Sequence, residues 1–558
     1  MVGPIVDLYA PLERDTIVEV RRGKMKPMPG LTIESGIDKS IVDGPVWVGK
    51  TGLDSDEHDM TFHGGPTKAV HAYCSTHYPT WQSSHPSATT RFTPGAFGEN
   101  LVFTSFNERN ICIGDVFVVG PSPSHSSSSS SSPTLTLQVS QPRQPCFKLN
   151  HRFGLKNFAP ETTRLSRTGW YFRVLEEGWV EKGMEVRVVE RKHAAWTLER
   201  LQGVLYRGTE GPAEMQYLLG IEALTDEIKG VLRQRLRKLE AATSKKTKVP
   251  WTDWKVVEKV QQTPRITSFS LAAIDKATNT TPESGSHVRL RLPNGLVRAY
   301  SIVRGSRGRF ELGIARDAHS RGGSSYLHDH VDVGDVLSVG AVTAGIKPNS
   351  MASNHVFVVA GIGITAFLWL VEEMVGFNLN VQVHYAVRSA EEMPFRQDLE
   401  KLGSRVTVYD KAKGERMDVG SVIKGMPWNS QVYVCGPKRL MDDTVNAAQE
   451  AGLGEKDVHF EAFGADVGGN MFEVVIRDKE DKKVVVEEEE TLLEVLQREF
   501  GDLVGSSCEV GNCGTCRVRL RCGKVDHRGT ALSAEEKENE ILSCVSRGVG
   551  RIEIEIGE

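Results

Sequence analysis

The stretch SSCEVGNCGTCRV, Ser506 to Val518, sets Cys508, Cys513 and Cys516 at C-x4-C-x2-C spacing, and a fourth cysteine, Cys544, follows downstream. That spacing can hold a 2Fe-2S cluster in four thiolates. Gly511 and Gly514 fall where the chain must fold tightly around such a group. Glycine accepts positive φ cheaply and leaves backbone N–H groups free to approach sulfur. Structural zinc sites are usually built from paired C-x2-C units, which this run lacks. A carrier of single electrons follows, so the remaining chain must offer an electron source and an acceptor.

At 558 residues there is room for about four domains. With 39% hydrophobic and 25% charged residues and a net charge of −4, the composition is that of a globular protein without the basic excess that nucleic acid partners require. No apolar run reaches the about 18 residues of a membrane span, and MVGPIVDLYA lacks the basic start and apolar core of a secretory signal. A cytoplasmic protein without a membrane partner is expected. Cys74, Cys112, Cys146, Cys435 and Cys522 bring the cysteines to nine, an odd count that suits a reducing compartment better than a disulfide framework.

The run SPSHSSSSSSSPT, Ser122 to Thr134, cannot bury enough apolar surface to order itself and is expected to be a flexible insertion between two strands of a β-rich first domain. Leu224, Ile228, Leu232, Leu236 and Leu239 recur at helical intervals, and SKKTKVPW, Ser244 to Trp251, is the best linker. Beyond it, HVRLRLP puts Val288, Leu290 and Leu292 on one face and Arg289 and Arg291 on the other, as in a small antiparallel barrel. HVFVVAGIGIT, VQVHYAV and QVYVCGP are continuous apolar strands of a parallel α/β unit. FEVVIRDKEDKKVVVEEEE reads as a hairpin, its acidic end Glu487 to Glu490 as a solvated strand end, and Thr491 with Glu494 as the capping box of the next helix.

A flavin needs an aromatic wall and a fixed cation with free N–H groups for its phosphate. Tyr300 and Ser301 suit the first need; Arg298 with Gly322, Gly323 and Ser324 suits the second. These motifs, then the glycine turn, then the four cysteines resemble in order the phthalate dioxygenase reductase family, whose FMN, NADH and plant-type 2Fe-2S ferredoxin domains share one chain. The resemblance covers Trp251 to the C-terminus. It implies that Arg298, Tyr300, Ser301, Gly323 and Ser324 bind FMN and that Cys435-Gly436-Pro437 lies against the nicotinamide. The family turn GGIGITP reads AGIGITA here, with Ala360 and Ala366 as departures, while Gly361, Gly363 and Thr365 are kept for the pyrophosphate. Arg388-Ser389 can meet a 2′-phosphate, but the resembling family carries such residues there while using NADH, so NADH is expected with NADPH as the alternative.

In the first part, Cys146 lies among the cations Arg143 and Lys148, with DMTFHGGPTKAVHAY and GAFGENL upstream. A soft thiolate among cations and glycine turns is what a phosphate-bearing cofactor with a soft metal requires. HGGP-x-KA, GAFGENL and SQPR-x-PCFKLN resemble the MOSC family, closest to its N-hydroxylaminopurine reductase branch. That resemblance implies a molybdenum cofactor (Mo-pterin) ligated directly by Cys146, with His63, Lys68, Asn100 and Arg143 lining it.

The expected fold is therefore multidomain: a β-rich MOSC barrel over residues 1–193 with a three-helix tail over 194–243, an antiparallel FMN-binding β-barrel over 251–346, an α/β NAD-binding domain over 347–464 and an α+β plant-type ferredoxin domain over 470–558. Together the resemblances imply a self-contained oxidoreductase that carries electrons from NAD(P)H through FMN and the 2Fe-2S cluster to molybdenum, and that reduces a small N-hydroxylated substrate to its amine. The alternative is a reductase component for a separate electron-acceptor protein, a Rieske-type oxygenase, with an accessory or non-catalytic MOSC domain.

Overall fold

Alternating and continuous apolar strands build two closed barrels, two five-stranded sheets and two minor sheets in a computed structural model that describes residues 9–60, 63–120, 134–243, 251–275, 281–317, 322–464 and 468–557. The serine run, the linker between the two halves and the first eight residues, on which the loop, linker and signal expectations rest, lie outside the described residues apart from Thr134 and Trp251. The chain divides into two units, Met1–Thr247 with Ser350–Ser353, and Lys248–Asn349 with Asn354–Glu558.

In the first unit seven strands close on themselves, because Glu185–Glu190 pairs with both Val116–Val119 and Arg14–Arg22. Val116–Val119 and Thr136–Pro142 pair antiparallel, which puts the serine run between neighbouring barrel strands. Ile17, Phe103, Phe117, Leu137, Trp170 and Phe172 fill the interior. The helices Leu198–Gln202, Pro212–Leu219 and Asp226–Thr243 cover it, with Ile228 and Leu232 joining the same core and Leu239 exposed. A second apolar layer, including Tyr73, Trp81, Phe92, Phe97 and Phe153, supports the helix Phe147–Phe153 that begins just after Cys146.

In the second unit a six-stranded antiparallel barrel runs from Thr252–Thr263 to Val336–Thr343. Its strand His287–Arg291 alternates as expected: Val288 and Leu290 are fully buried, while the Arg291 guanidinium sits 4.1 Å from the Trp251 ring centre on the outside. A five-stranded parallel sheet follows, in the order Val406–Asp410, Val381–Val387, Asn354–Ala360, Ser430–Cys435, Val458–Phe460. Strand order reverses on either side of Asn354–Ala360, and this switch point is where open α/β sheets bind ligands. The last sheet opens with the hairpin Phe472–Ile476 and Lys482–Val486. Thr491 Oγ1 accepts from the Glu494 N–H at 3.1 Å and Glu494 returns the bond to the Thr491 N–H at 2.8 Å, starting the helix Leu492–Phe500. Glu487, Glu488 and Glu489 are exposed, and the buried Arg547 donates to the carbonyls of Glu487 and Glu490, which pins the acidic strand end.

Candidate redox centres

The cluster loop draws its four thiols into two pairs. Cys508 lies against Cys513, and the Cys516 and Cys544 sulfurs are 3.2 Å apart. Among the described residues no single point collects three or more His, Cys, Asp or Glu donors for one ion. Two thiolate pairs suit a binuclear cluster with two ligands per iron. The N–H groups of Asn512 and Cys513 point at Cys508 Sγ at 3.3 and 3.4 Å, and the Thr515 hydroxyl lies 3.2 Å from Cys513 Sγ. The bond from Cys508 pulls the Cys513 thiol down to about 4. Gly511 and Gly514 take φ of 81° and 72°, so the two glycines stand where left-handed backbone is required.

A cavity with about 1370 Å³ of empty space, open mouth included, collects Arg298, Tyr300, Ser301, Gly323, Ser324 and Thr365, and reaches Cys508. Burial pushes the Tyr300 phenol up to about 12 and keeps it neutral. Gly322, at φ 88°, turns the chain into the helix Gly323–His330, and a Cβ on Gly323 would sit 2.8 Å from Arg298 Cγ. The arginine thus lies flat over a helix start that only glycine leaves open, a natural anion seat. Sequence reasoning missed Glu461, which is buried at this cavity with its carboxyl pushed up to about 8 by burial and the nearby Cys513 sulfur.

Next to it, a cleft of about 2350 Å³ on the same measure runs along the sheet switch point and is lined by Gly361, Gly363, Arg388, Gly436 and Pro437. A Cβ on Gly363 would approach the Cys435 carbonyl oxygen to 2.4 Å, which explains the glycine. Cys435 itself is fully buried behind that turn, with its thiol raised by burial, so its side chain belongs to the core while Gly436 and Pro437 face the cleft.

In the first unit, Cys146, His63, Asn100 and Arg143 converge on a polar cavity with about 500 Å³ of empty space including its mouth. Lys68 does not line it: its ammonium sits 2.5 Å from Glu227 of the long tail helix, because a half-buried cation seeks the carboxylate within reach. Cys146 caps the helix Phe147–Phe153 and is a free, half-buried thiol. Lys148 is paired with Asp59 at 3.0 Å and Lys39 with Asp56 at 2.5 Å. Asn100 Nδ2 donates to Asp56 Oδ2 at 2.7 Å, so the residues expected to line the cavity are joined to ones the motifs did not single out. His63 Nδ1 lies 3.2 Å from the Tyr171 hydroxyl, and burial with the charges of Arg143, Lys148 and Lys68 pushes its imidazole down to about 3. Arg143 Nη1 and His71 Nε2 are buried at the cavity without a hydrogen-bond partner among the described residues. An orphaned guanidinium donor, cations and a soft thiol in one cavity fit an anionic, metal-bearing cofactor.

Comparison with known proteins agrees with this division. Family models match for the MOSC domain over residues 59–187, the 2Fe-2S iron-sulfur cluster binding domain over 475–548, and the N-terminal domain of dimethylamine monooxygenase subunit DmmA-like proteins over 342–458. A reductase of Gibberella moniliformis is 34% identical over 97% of this chain and 95% of its own length. The heme-dependent oxidative N-demethylase beta subunit of Ectopseudomonas mendocina is 35% identical over 52% of this chain and 93% of its own. The phthalate 4,5-dioxygenase oxygenase reductase subunit of Pseudomonas putida is 32% identical over 53% and 94%. No described helix is long and apolar enough to cross a membrane. The chain therefore belongs to the family of the Gibberella moniliformis reductase, and is an NAD(P)H-dependent oxidoreductase in which a MOSC domain is fused to a phthalate dioxygenase reductase-like flavin, nicotinamide and 2Fe-2S module.

Proposed function

We propose that this chain is a self-contained, molybdenum-dependent reductase that converts small N-hydroxylated compounds to amines with NAD(P)H as the electron source. The observation that carries the proposal is the cavity around Cys146, which keeps a free thiol, an orphaned Arg143 donor, an unpartnered His71 Nε2 and charged pairs in the same chain as an electron-transfer module. The proposed parts are the MOSC barrel over residues 1–193 with its tail over 194–243, the FMN barrel over 251–346, the NAD domain over 347–464 and the ferredoxin domain over 470–558.

When bound, a molybdenum cofactor supplies oxygen-atom removal, the flavin splits a hydride into single electrons, and the cluster relays them one at a time. Cys146 would provide the metal's protein sulfur, Arg143 would donate to the cofactor's acceptor atoms, and His71 Nε2 would face it as a further hydrogen-bonding atom. His63, kept neutral by its surroundings and held against Tyr171, would hold the N–OH group by hydrogen bonding. Cys508 and Cys513 would ligate one iron and Cys516 and Cys544 the other. Arg298, Gly323 and Ser324 would hold the flavin phosphate, Tyr300 and Ser301 its ring, and Gly361, Gly363, Gly436 and Pro437 the NADH, with Thr365 of the same glycine turn facing the flavin cavity rather than the nucleotide cleft. The overall change is R–NHOH + NAD(P)H + H⁺ → R–NH₂ + NAD(P)⁺ + H₂O. Nine free cysteines suit a reducing, cytoplasmic setting.

A second reading is supported by the two bacterial subunit relatives, which match only about half of this chain: the second unit would then serve a separate oxygenase. The deciding experiment measures molybdenum, iron and flavin per chain and the NADH-driven loss of a hydroxylamine by the purified protein alone, beside Cys146→Ser. Amine formation that vanishes with molybdenum in the variant supports the first reading. NADH turnover that needs an added oxygenase, with no molybdenum in either protein, supports the second.

A further inference from the structure

The proposed function leaves the outer, polar face of the barrel strand His287–Arg291 without a role. Val288 and Leu290 point into the barrel, so His287 and Arg289 point out, and there they meet the loop that carries Cys508. His287 Nε2 lies 3.0 Å from Ser507 Oγ, and Thr343 Oγ1, directly across from His287 on the neighbouring strand, lies 2.6 Å from that same oxygen. His287 and Ser507 are 4% and 5% exposed, so these bonds are shielded from water. Arg289 adds a bond to the Ser506 carbonyl at 2.9 Å and an ion pair to Glu509 at 3.4 Å. His287 and Cys508 both line the cavity assigned above to the flavin, while the His287 Nδ1 atom has no partner among the described residues.

We propose that His287, Ser507 and Thr343 form a latch that seats the ferredoxin loop on the barrel and turns Cys508 toward the flavin cavity, which makes His287 a positioning residue for electron passage between the two. The inference rests on the reading of that cavity as the flavin site. With both groups bound, one electron would pass from the reduced flavin to the oxidised cluster with no atom transferred, so what this chain's own residues contribute is a short, rigid approach. Ser507 is covalently joined to Cys508, and the latch therefore fixes the first cluster ligand through a single peptide link. The contact is made of hydroxyls, an imidazole and one exposed ion pair rather than apolar side chains, and interfaces of this polar kind separate reversibly.

The test uses the full chain with Ser507→Ala, Thr343→Val, His287→Phe and His287→Gln. Amide hydrogen exchange is followed over residues 506–512, and NADH-driven reduction of flavin and cluster is followed in a single turnover. Ser507→Ala and Thr343→Val should raise exchange in the loop about tenfold and slow cluster reduction by a similar factor, with flavin reduction unchanged. His287→Phe should do the same in the loop, and His287→Gln, which keeps a donor, should recover part of the loss. Wild-type exchange and wild-type cluster reduction in all variants, beside normal flavin reduction, would overturn the latch alone. A wild-type protein that holds no flavin would overturn the cavity reading and the latch's role with it.

Discussion

Replacing Gly511 with alanine should release the iron-sulfur cluster far below the temperature at which the wild type loses it. Gly511 sits at φ 81°, and a Cβ built there would lie 2.7 Å from Gly529 Cα and 2.8 Å from Val545 Cγ2. Neither neighbour is the loose end of a long side chain, and the Gly511 carbonyl also accepts the N–H groups of Thr530 and Ala531 at 2.9 and 3.0 Å. The left-handed backbone costs about 1 kcal/mol for a residue with a Cβ, and the overlap about 1–3 kcal/mol more. A total of about 2–4 kcal/mol corresponds to roughly 10–25 °C in a domain of this size. Gly514 is the control. Its φ is 72°, but the added Cβ would be crowded only by the flexible Arg517 side chain, at 2.9 Å from Nε, with Ala531 Cβ in ordinary contact at 3.5 Å, so Gly514→Ala should cost about 1 kcal/mol. The assay is loss of visible cluster absorbance on heating, with iron content measured first. Equal cluster-loss temperatures for wild type and Gly511→Ala at full iron occupancy would refute the packing argument, as would a larger loss in Gly514→Ala.

Gly363→Ala should raise KM for the nicotinamide by roughly tenfold or more while leaving iron content intact, because its Cβ would press on the Cys435 carbonyl oxygen at 2.4 Å; an unchanged KM would count against the turn as the pyrophosphate seat. Asp59→Asn leaves the buried Lys148 ammonium without its charge partner, held at 3.0 Å, and should lower the stability of the first unit by about 2 kcal/mol or more in denaturant titration. His63 has a folded pKa of about 3, below its ordinary 6.5, so between those values the unfolded chain binds the extra proton and stability falls as pH falls. In metal-free protein this contributes about 2 kcal/mol of destabilisation between pH 7 and pH 5, and His63→Gln should flatten that part of the stability profile; identical profiles would remove His63 as the cause.

The cluster loop was legible because Cys508, Cys513 and Cys516 lie within nine residues and their spacing is the ligand geometry. The glycine turn and the capping box at Thr491 were legible for the same reason, each being a local device, whereas Arg298 to Ser301, read as a strand end, stand at the start of the strand Val297–Ser306. Sequence reasoning went further than the structure at Lys68 and Cys435. Both stand in the right motif, but Lys68 is drawn to Glu227, more than a hundred residues away, and Cys435 is turned into the sheet core. It fell short at Glu461 and at the network of Lys39, Asp56 and His58, which have no motif of their own and become part of a site only when distant segments meet.

By itself, the sequence determined which chemistry is present, because ligand spacing, glycines at forced turns and alternating polarity act over a few residues and obey the same rules in any context. Tertiary structure alone decided how that chemistry is wired. The sequence puts Arg289 and Arg291 on the polar face of an alternating strand, yet closing the barrel and folding the ferredoxin sheet bury His287 on that same side against Ser507 and bring Cys508 to the cavity read as the flavin site. Sequence polarity records that a side chain needs a polar partner, not which partner; that is set by contacts between residues 220 positions apart, made where the barrel and the ferredoxin sheet, each folded on its own hydrophobic core, meet along polar faces.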